Sequence, residues 1–398
     1  MITKRPRLEF LDGIRGLCAL YVAFYHAVFF TGNGIEKTQF TGVLQPLTGF
    51  LEFGHYSVAV FIVLSGFCLT IPVALSENRD LRGGFKTYIR RRAHRILPPY
   101  YFALLLSLLL IWALPLMQTP HDTAWDSKLP VKLESIVTHL LLVHNIHTHW
   151  IFKINGPLWS VATEWQIYFT FPVLLLLWRR YGLAAATAAA VIVGILPELV
   201  LPHRISFWWL HPWYLGLFGI GMAASIVAFD TKGTTEKVKR LASNGWIVSG
   251  FVVLAAAILA VSKPLNLSLT FTEIMAGLAV SAVIVYYTLK EHAMQNRSLL
   301  LRFLNGKIAV GLGAFSYSIY LIHSPILAAI NLYTLNLQMT DNVRLLFMLL
   351  VAVPVSVLIA YVFYLLVERR FLNMPPKAAA IPATPVINVS GNYESVSQ

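Results

Sequence analysis

Arg15 and His26 close the two ends of the apolar run RGLCALYVAFYH, 11 residues apart. On a helix that offset turns about 1100°, which leaves the two side chains within about 20° of one face and about 16 Å apart along the axis. A guanidinium and an imidazole that look into one space at two depths suit an anion held at one end and a proton moved at the other. Glu164 and His323 are further ionisable groups enclosed by apolar runs. A charge at the middle of a bilayer costs about 2.5–3.5 kcal/mol on insertion scales, so each calls for a partner or a task. Counted at about 1.5 Å per residue from the ends of their runs, His26, Glu164 and His323 lie about 8, 10 and 12 Å below one surface, in a single layer. A histidine with a carboxylate nearby suits general-base chemistry on a hydroxyl: the imidazole takes the proton and the carboxylate fixes its tautomer. The same set suits a proton relay in a transporter, and spacing alone does not separate the two. The plain alternatives are an Arg15 that snorkels to the interface and histidines that pair between helices.

A second constellation is RRRAHR. If this stretch is helical, Arg92 and Arg95 are presented together one turn apart, with Arg91 beside them, as a patch suited to phosphate. Orientation by positive charge and contact with anionic lipid is the equal alternative. His139, His144, His147 and His149 cluster in SIVTHLLLVHNIHTHW, but their spacing matches no metal-ligand pattern, and no metal is expected. Trp150, Trp159, Trp208, Trp209 and Trp213 fall near the outer interface, where an aromatic belt is the default and stacking on a sugar the alternative. Asp12, three residues before Arg15, reads as a cap or a local ion pair.

The elements that must position these groups are set by composition. The 398 residues are 57% hydrophobic and 12% charged, far from the roughly 25% charge of a soluble domain. Runs of about 20 apolar residues recur, at roughly 12–31, 56–76, 96–117, 157–178, 183–201, 207–229, 246–262, 271–289, 308–331 and 343–367. The expectation is an all-α polytopic membrane helix bundle of about ten transmembrane helices, with residues 1–373 as one domain and 374–398, rich in Pro, Ala and Ser, as a disordered tail. With alternating spans, 23 of the 31 Lys and Arg fall on the side of the N-terminus and seven on the other, so both termini are expected in the cytoplasm. That distribution explains the net charge of +13 and speaks against a nucleic-acid partner. The N-terminal stretch lacks a convincing cleavage site and is read as a retained first helix. Cys18 and Cys68 fall inside spans and imply neither a disulfide nor a metal site. The segment from Gln118 to Gly156 carries an apolar run too short to cross, read as an external or re-entrant helix that roofs the bundle.

The block LDGIRGLCALYVAFYH, followed in order by SVAVFIVLSGFCLT, YIRRRAHRILPPYY, NGPLWSVATEWQIYF and FSYSIYLIHSPI, resembles the acyltransferase family 3 membrane proteins over residues 8 to about 370. The resemblance implies an integral membrane O-acyltransferase that moves an acyl group, usually acetyl, from acyl-CoA to a hydroxyl of an extracytoplasmic acceptor: a glycan, a lipid-linked sugar or a secreted metabolite. It implies a multi-pass place in the plasma membrane, acetyl-CoA as donor substrate and no permanently bound cofactor. By the same resemblance His26 and Glu164 are catalytic, Arg15, Arg92 and Arg95 hold the donor, and His323 and Trp159 are secondary or substrate-lining. One departure is TEWQ, where the family often has two adjacent acids and this chain has Glu164 followed by Trp165. A proton-coupled transporter or exporter using the buried His and Glu as a relay is the alternative, although the sequence shows no internal repeat of the kind such transporters carry.

Overall fold

The computed structural model describes residues 8–31, 40–200, 210–230, 236–292 and 298–372. The expected tail, 374–398, and Trp208 and Trp209 in the sixth run lie outside the described residues. The described secondary structure is all helical, and in chain order the α-helices are α1 (Glu9–Thr31), α2 (Leu44–Leu51), α3 (Tyr56–Ala74), α4 (Gly84–Ala113), α5 (Leu133–Leu140), α6 (Leu158–Tyr181), α7 (Leu183–Val200), α8 (Tyr214–Phe229), α9 (Glu236–Ala242), α10 (Gly245–Ala260), α11 (Leu269–His292), α12 (Leu299–Leu304), α13 (Lys307–Ala314), α14 (Ser316–Leu335), α15 (Asp341–Phe347) and α16 (Val353–Leu366). In a hydrocarbon solvent every backbone N–H and C=O must be satisfied within its own segment, which is why the apolar runs take this form.

Among the described residues, eight helices are long and apolar enough to cross a membrane, and nine if α9 and α10, bent by 61°, make one span. The shorter apolar helix α8 completes the ten runs read from the sequence. The chain is thus an integral, multi-pass membrane protein. Side chains such as Trp112, Ile192, Leu350 and Leu358 are exposed on its outside, an arrangement suited to lipid and costly in water.

Three boundaries differ from the sequence reading. Residues 44–74 make one continuous span, because α2 passes through the 3-10 turn Glu52–His55 into α3 without a break. The third span starts at Gly84 rather than 96, since no helix breaker stands between Gly84 and Pro98; the basic stretch ahead of the apolar run is the first half of α4. The roof run is not one helix: α5 stops at Leu140, Leu142 takes a left-handed φ of 54°, and a short 3-10 turn His144–Ile146 follows.

Helix packing relies on small residues that let backbones approach. A methyl added at Gly66 of α3 would overlap the Phe218 carbonyl of α8, and one at Gly221 of α8 would overlap the Val63 carbonyl of α3. Gly13 of α1 and Gly313 of α13 make the same kind of contact, against Leu304 and Asp12. These crossings fix α3 against α8 and α1 against α12 and α13. Tyr317 near the start of α14 bonds to the Ile96 carbonyl of α4, and Asn331 near its other end donates to the Phe30 carbonyl of α1 over 3.1 Å. The arginine end and the histidine end of the bundle are thereby defined.

Candidate active site

A cavity of about 370 Å³ opens within the arginine half of the bundle, between α1, α3, α4, α6 and α14. Arg15, Arg82, Arg91, Arg92 and Arg95 line it, and Glu164 is the one carboxylate among its lining residues. Arg92 and Arg95 lie one turn apart on α4, so the helix that the sequence reading required is present. Arg15 donates to Asp12 over 3.0 Å, the local pair expected for that aspartate, and its other terminal nitrogen reaches Cys68 Sγ over 3.0 Å. Two polar atoms at the cavity wall, Arg92 Nε and Tyr88 Oη, are buried without a hydrogen-bond partner among the described residues. Such atoms cost about 1–3 kcal/mol each unless a ligand satisfies them. The cavity therefore offers excess positive charge and spare donors, the complement of phosphate oxygens.

Toward the histidine end the lining changes from charged to hydroxyl-rich. Tyr168 Oη donates to Glu164 Oε1 over 2.5 Å and lies 3.1 Å from Ser65 Oγ. One turn further along α6, Ser160 Oγ meets Tyr320 Oη of α14 at 2.6 Å. The Tyr320 ring is 5.9 Å from that of His323, so the cavity ends beside the histidines.

His26 and His323 come together: His323 Nε2 is 3.2 Å from His26 Nδ1, with ring centroids 4.7 Å apart. Each Nδ1 also faces a carbonyl, Val22 O at 3.0 Å from His26 and Ile319 O at 2.9 Å from His323. Carbonyl oxygens only accept, which puts the proton on Nδ1 of both neutral rings. The His26 proton is then shared between Val22 O and the lone pair of His323 Nε2, and His26 Nε2 is left as the free basic nitrogen of the pair.

The single layer of three titratable groups thus resolves into a pair and a separate carboxylate. Among the described residues Glu164 bonds to Tyr168 and to neither histidine; the acceptor behind His26 is His323, not Glu164. The reason is local, because Glu164 lies on the α6 face of Ser160 and Tyr168, one turn to either side, and that face looks into the arginine cavity. Trp159, on the neighbouring face, stacks on His211 with centroids 4.0 Å apart and sits beside Tyr214, which with Trp213 bonds to the buried Glu273.

The histidines of the roof are brought together in twos. His139 and His144, both fully buried, stack at 3.7 Å and 11°, and burial pushes the His139 imidazole down to about 4. His147 and His149 stack at 5.0 Å. No three His, Cys, Asp or Glu converge among the described residues.

Sequence reasoning missed Tyr320, Ser160, Tyr88 and Lys128. Tyr320, Ser160 and Tyr88 carried a signal, since they stand one helical turn before His323, Glu164 and Arg92; Lys128 is joined to the site only by the fold.

A multi-pass membrane bundle with a basic cavity that ends at Tyr320, next to a partly buried histidine pair, defines a class of integral membrane protein able to take an anionic ligand toward a proton acceptor. The chain belongs to the acyltransferase family whose domain matches residues 8–364, and it is an acyltransferase. Acyltransferase MdmB of Streptomyces mycarofaciens is 27% identical over 350 residues, which takes in 80% of this chain and 78% of that protein. Peptidoglycan O-acetyltransferase OatA of Listeria monocytogenes is 23% identical over 197 residues, 48% of this chain and 28% of that protein. No solved structure matches the chain. Family membership favours the enzyme over the transporter raised by the sequence.

Proposed function

We propose that the protein takes an acetyl group from acetyl-CoA on the cytoplasmic side of the plasma membrane and transfers it to a hydroxyl of a glycan on the other side, with both termini in the cytoplasm and residues 1–373 as the catalytic unit. The observation that carries this reading is the lining of the cavity: five arginines at one end, hydroxyls further in, and Tyr320 between the cavity and His323, with ring centroids 5.9 Å apart. The phosphates of the donor rest on Arg92, Arg95 and Arg15, and the pantetheine arm runs past Tyr168, Glu164 and Ser160, which accept from or donate to its amides. The roughly 16 Å from Arg15 to His26 is comparable to the length of that arm.

At the histidine end the acceptor hydroxyl gives its proton to His26 Nε2 as its oxygen attacks the thioester carbonyl carbon. His323 accepts the Nδ1 hydrogen bond, which strengthens as His26 becomes cationic. When the tetrahedral intermediate collapses the carbon–sulfur bond breaks, and the imidazolium returns its proton to the departing thiolate. The products are the O-acyl ester and free coenzyme A. The likeness to the Listeria peptidoglycan O-acetyltransferase supports a glycan acceptor; lipid-linked sugars and secreted metabolites are the other hydroxyl sources to be compared.

The test is direct. Purified protein in lipid nanodiscs should transfer or hydrolyse the radiolabelled acetyl group of acetyl-CoA, and His26→Ala should bind the donor yet transfer nothing. A His26→Ala protein that acylates at the wild-type rate would overturn the mechanism. Mass spectrometry of extracellular glycans and metabolites with and without the protein identifies the acceptor.

A further inference from the structure

Lys128 ends a 3-10 turn, Ala124–Lys128, at the histidine end of the bundle, and this turn packs on α1. Only 5% of the residue is exposed. Its Nζ donates to Ser127 Oγ over 2.8 Å, and among the described residues no carboxylate lies within ion-pair distance of it. Two aromatic faces enclose the nitrogen instead, Phe29 at 6.0 Å and Phe152 at 5.2 Å, and its carbon stem lies against Gly156. Phe29 is also a neighbour of the His26 ring, 6.1 Å away between centroids, so the ammonium and the imidazole both lie near one phenyl group. A buried ammonium costs several kcal/mol unless something compensates it, and hydrogen bonding to one hydroxyl leaves two of its three donors unused. Aromatic faces favour the charged form without neutralising it. This is the equipment needed where negative charge appears only during a reaction.

We propose that Lys128 is a further catalytic residue of the transfer: its ammonium donates a hydrogen bond to the oxyanion of the tetrahedral intermediate formed when the acceptor hydroxyl attacks the thioester carbonyl at His26. The proposal rests on the reading of His26 as the base. No proton leaves Lys128 in the step; the charge that develops on the carbonyl oxygen is held until the carbon–sulfur bond breaks and the carbonyl re-forms.

The titratable groups that face Lys128 are Lys153 from the following loop, which donates to the Leu129 carbonyl, and His26 of α1; Asp126 on its own turn is engaged instead with the Thr123 and His121 backbone. Burial, with Lys153 adding repulsion, pushes the Lys128 ammonium down to about 7. The group is therefore charged below about pH 7 and neutral above, and the charged form is the one the proposal uses. Transfer should decline as pH rises through this range.

The experiment compares wild type, Lys128→Arg, Lys128→Met and His26→Ala in nanodiscs, measuring kcat, the KM for acetyl-CoA and the pH profile. Lys128→Met should lose on the order of 10²–10³ in kcat, the loss typical of one oxyanion donor, with the donor KM unchanged. Lys128→Arg, charged at every accessible pH, should keep most of the rate and move the alkaline limb upward. Three results would overturn the proposal: wild-type kcat in Lys128→Met, a wild-type rate that rises rather than falls through pH 7, or a limb that stays in place in Lys128→Arg. If His26→Ala is inactive while Lys128→Met is normal, the Lys128 role fails alone; if His26→Ala is active, the underlying mechanism fails first.

Discussion

His323 offers the sharpest test of how the base is tuned. The perturbation is His323→Leu, which keeps much of the buried volume but removes the lone pair 3.2 Å from His26 Nδ1. A hydrogen bond to a charged group contributes about 1.5–3 kcal/mol net. This one is long and shares its proton with the Val22 carbonyl, so the low end applies, about 1.5–2 kcal/mol. At 1.36 kcal/mol per tenfold, kcat should fall about 10- to 30-fold while the KM for acetyl-CoA holds. His323→Gln, whose amide oxygen can accept from Nδ1, should recover part of the loss. Because His323 acts through His26, the double variant His26→Ala, His323→Leu should be no slower than His26→Ala alone. Steady-state transfer in nanodiscs reads all four proteins. An unchanged kcat in His323→Leu, or a further loss in the double variant, refutes the reasoning.

Arg92→Ala and Arg95→Ala should each weaken acetyl-CoA binding by about 1.5–3 kcal/mol, roughly 10- to 150-fold, yet leave binding of acetyl-pantetheine, which lacks the nucleotide phosphates, unchanged in calorimetry. Glu164→Ala, which removes the acceptor of the 2.5 Å Tyr168 bond, should instead weaken both donors, and equal affinity for acetyl-pantetheine would remove Glu164 from the path of the arm. Gly66→Leu or Gly221→Leu should destabilise the α3–α8 crossing by about 1–3 kcal/mol or more, seen as a lower unfolding temperature in detergent, while Gly49→Ala, which faces open space, should be neutral.

Much of the architecture was legible because a bilayer leaves the chain few choices. Apolar runs had to be helices, and their number and order emerged with α8 and the bent α9–α10 pair as the short or broken members among the described residues. The start of α4 was misjudged because hydropathy stops at the charged residues, whereas the helix, with no breaker between Gly84 and Pro98, continues through them to Gly84. The α5 boundary was hidden because the left-handed residue that ends the roof helix is Leu142, not the glycine a sequence reader looks for. At the site, periodicity placed Arg15 and His26 on one face and Arg92 and Arg95 on one turn, since those relations lie within single helices. Depth put Glu164 and His323 level with His26, but depth is only one coordinate. Which of two equally deep groups touches the imidazole depends on helix rotation, and that is fixed by glycine contacts between distant segments.

The first helix runs from Glu9 to Thr31 without proline, and its early turns are pinned where Gly13 and Gly313 bring backbones together. Such a helix is a ruler with fixed marks. One residue inserted between Arg15 and His26 would swing the imidazole by about 100° and turn it from His323, whereas four residues would return it close to the original bearing but about 6 Å further from the arginines. Under the proposed function the enzyme would measure an acyl-CoA donor: the distance from phosphate to thioester is set by covalent geometry in the ligand and by helical rise in the protein. A carrier with a shorter arm would stop short of His26 however well its phosphates were held.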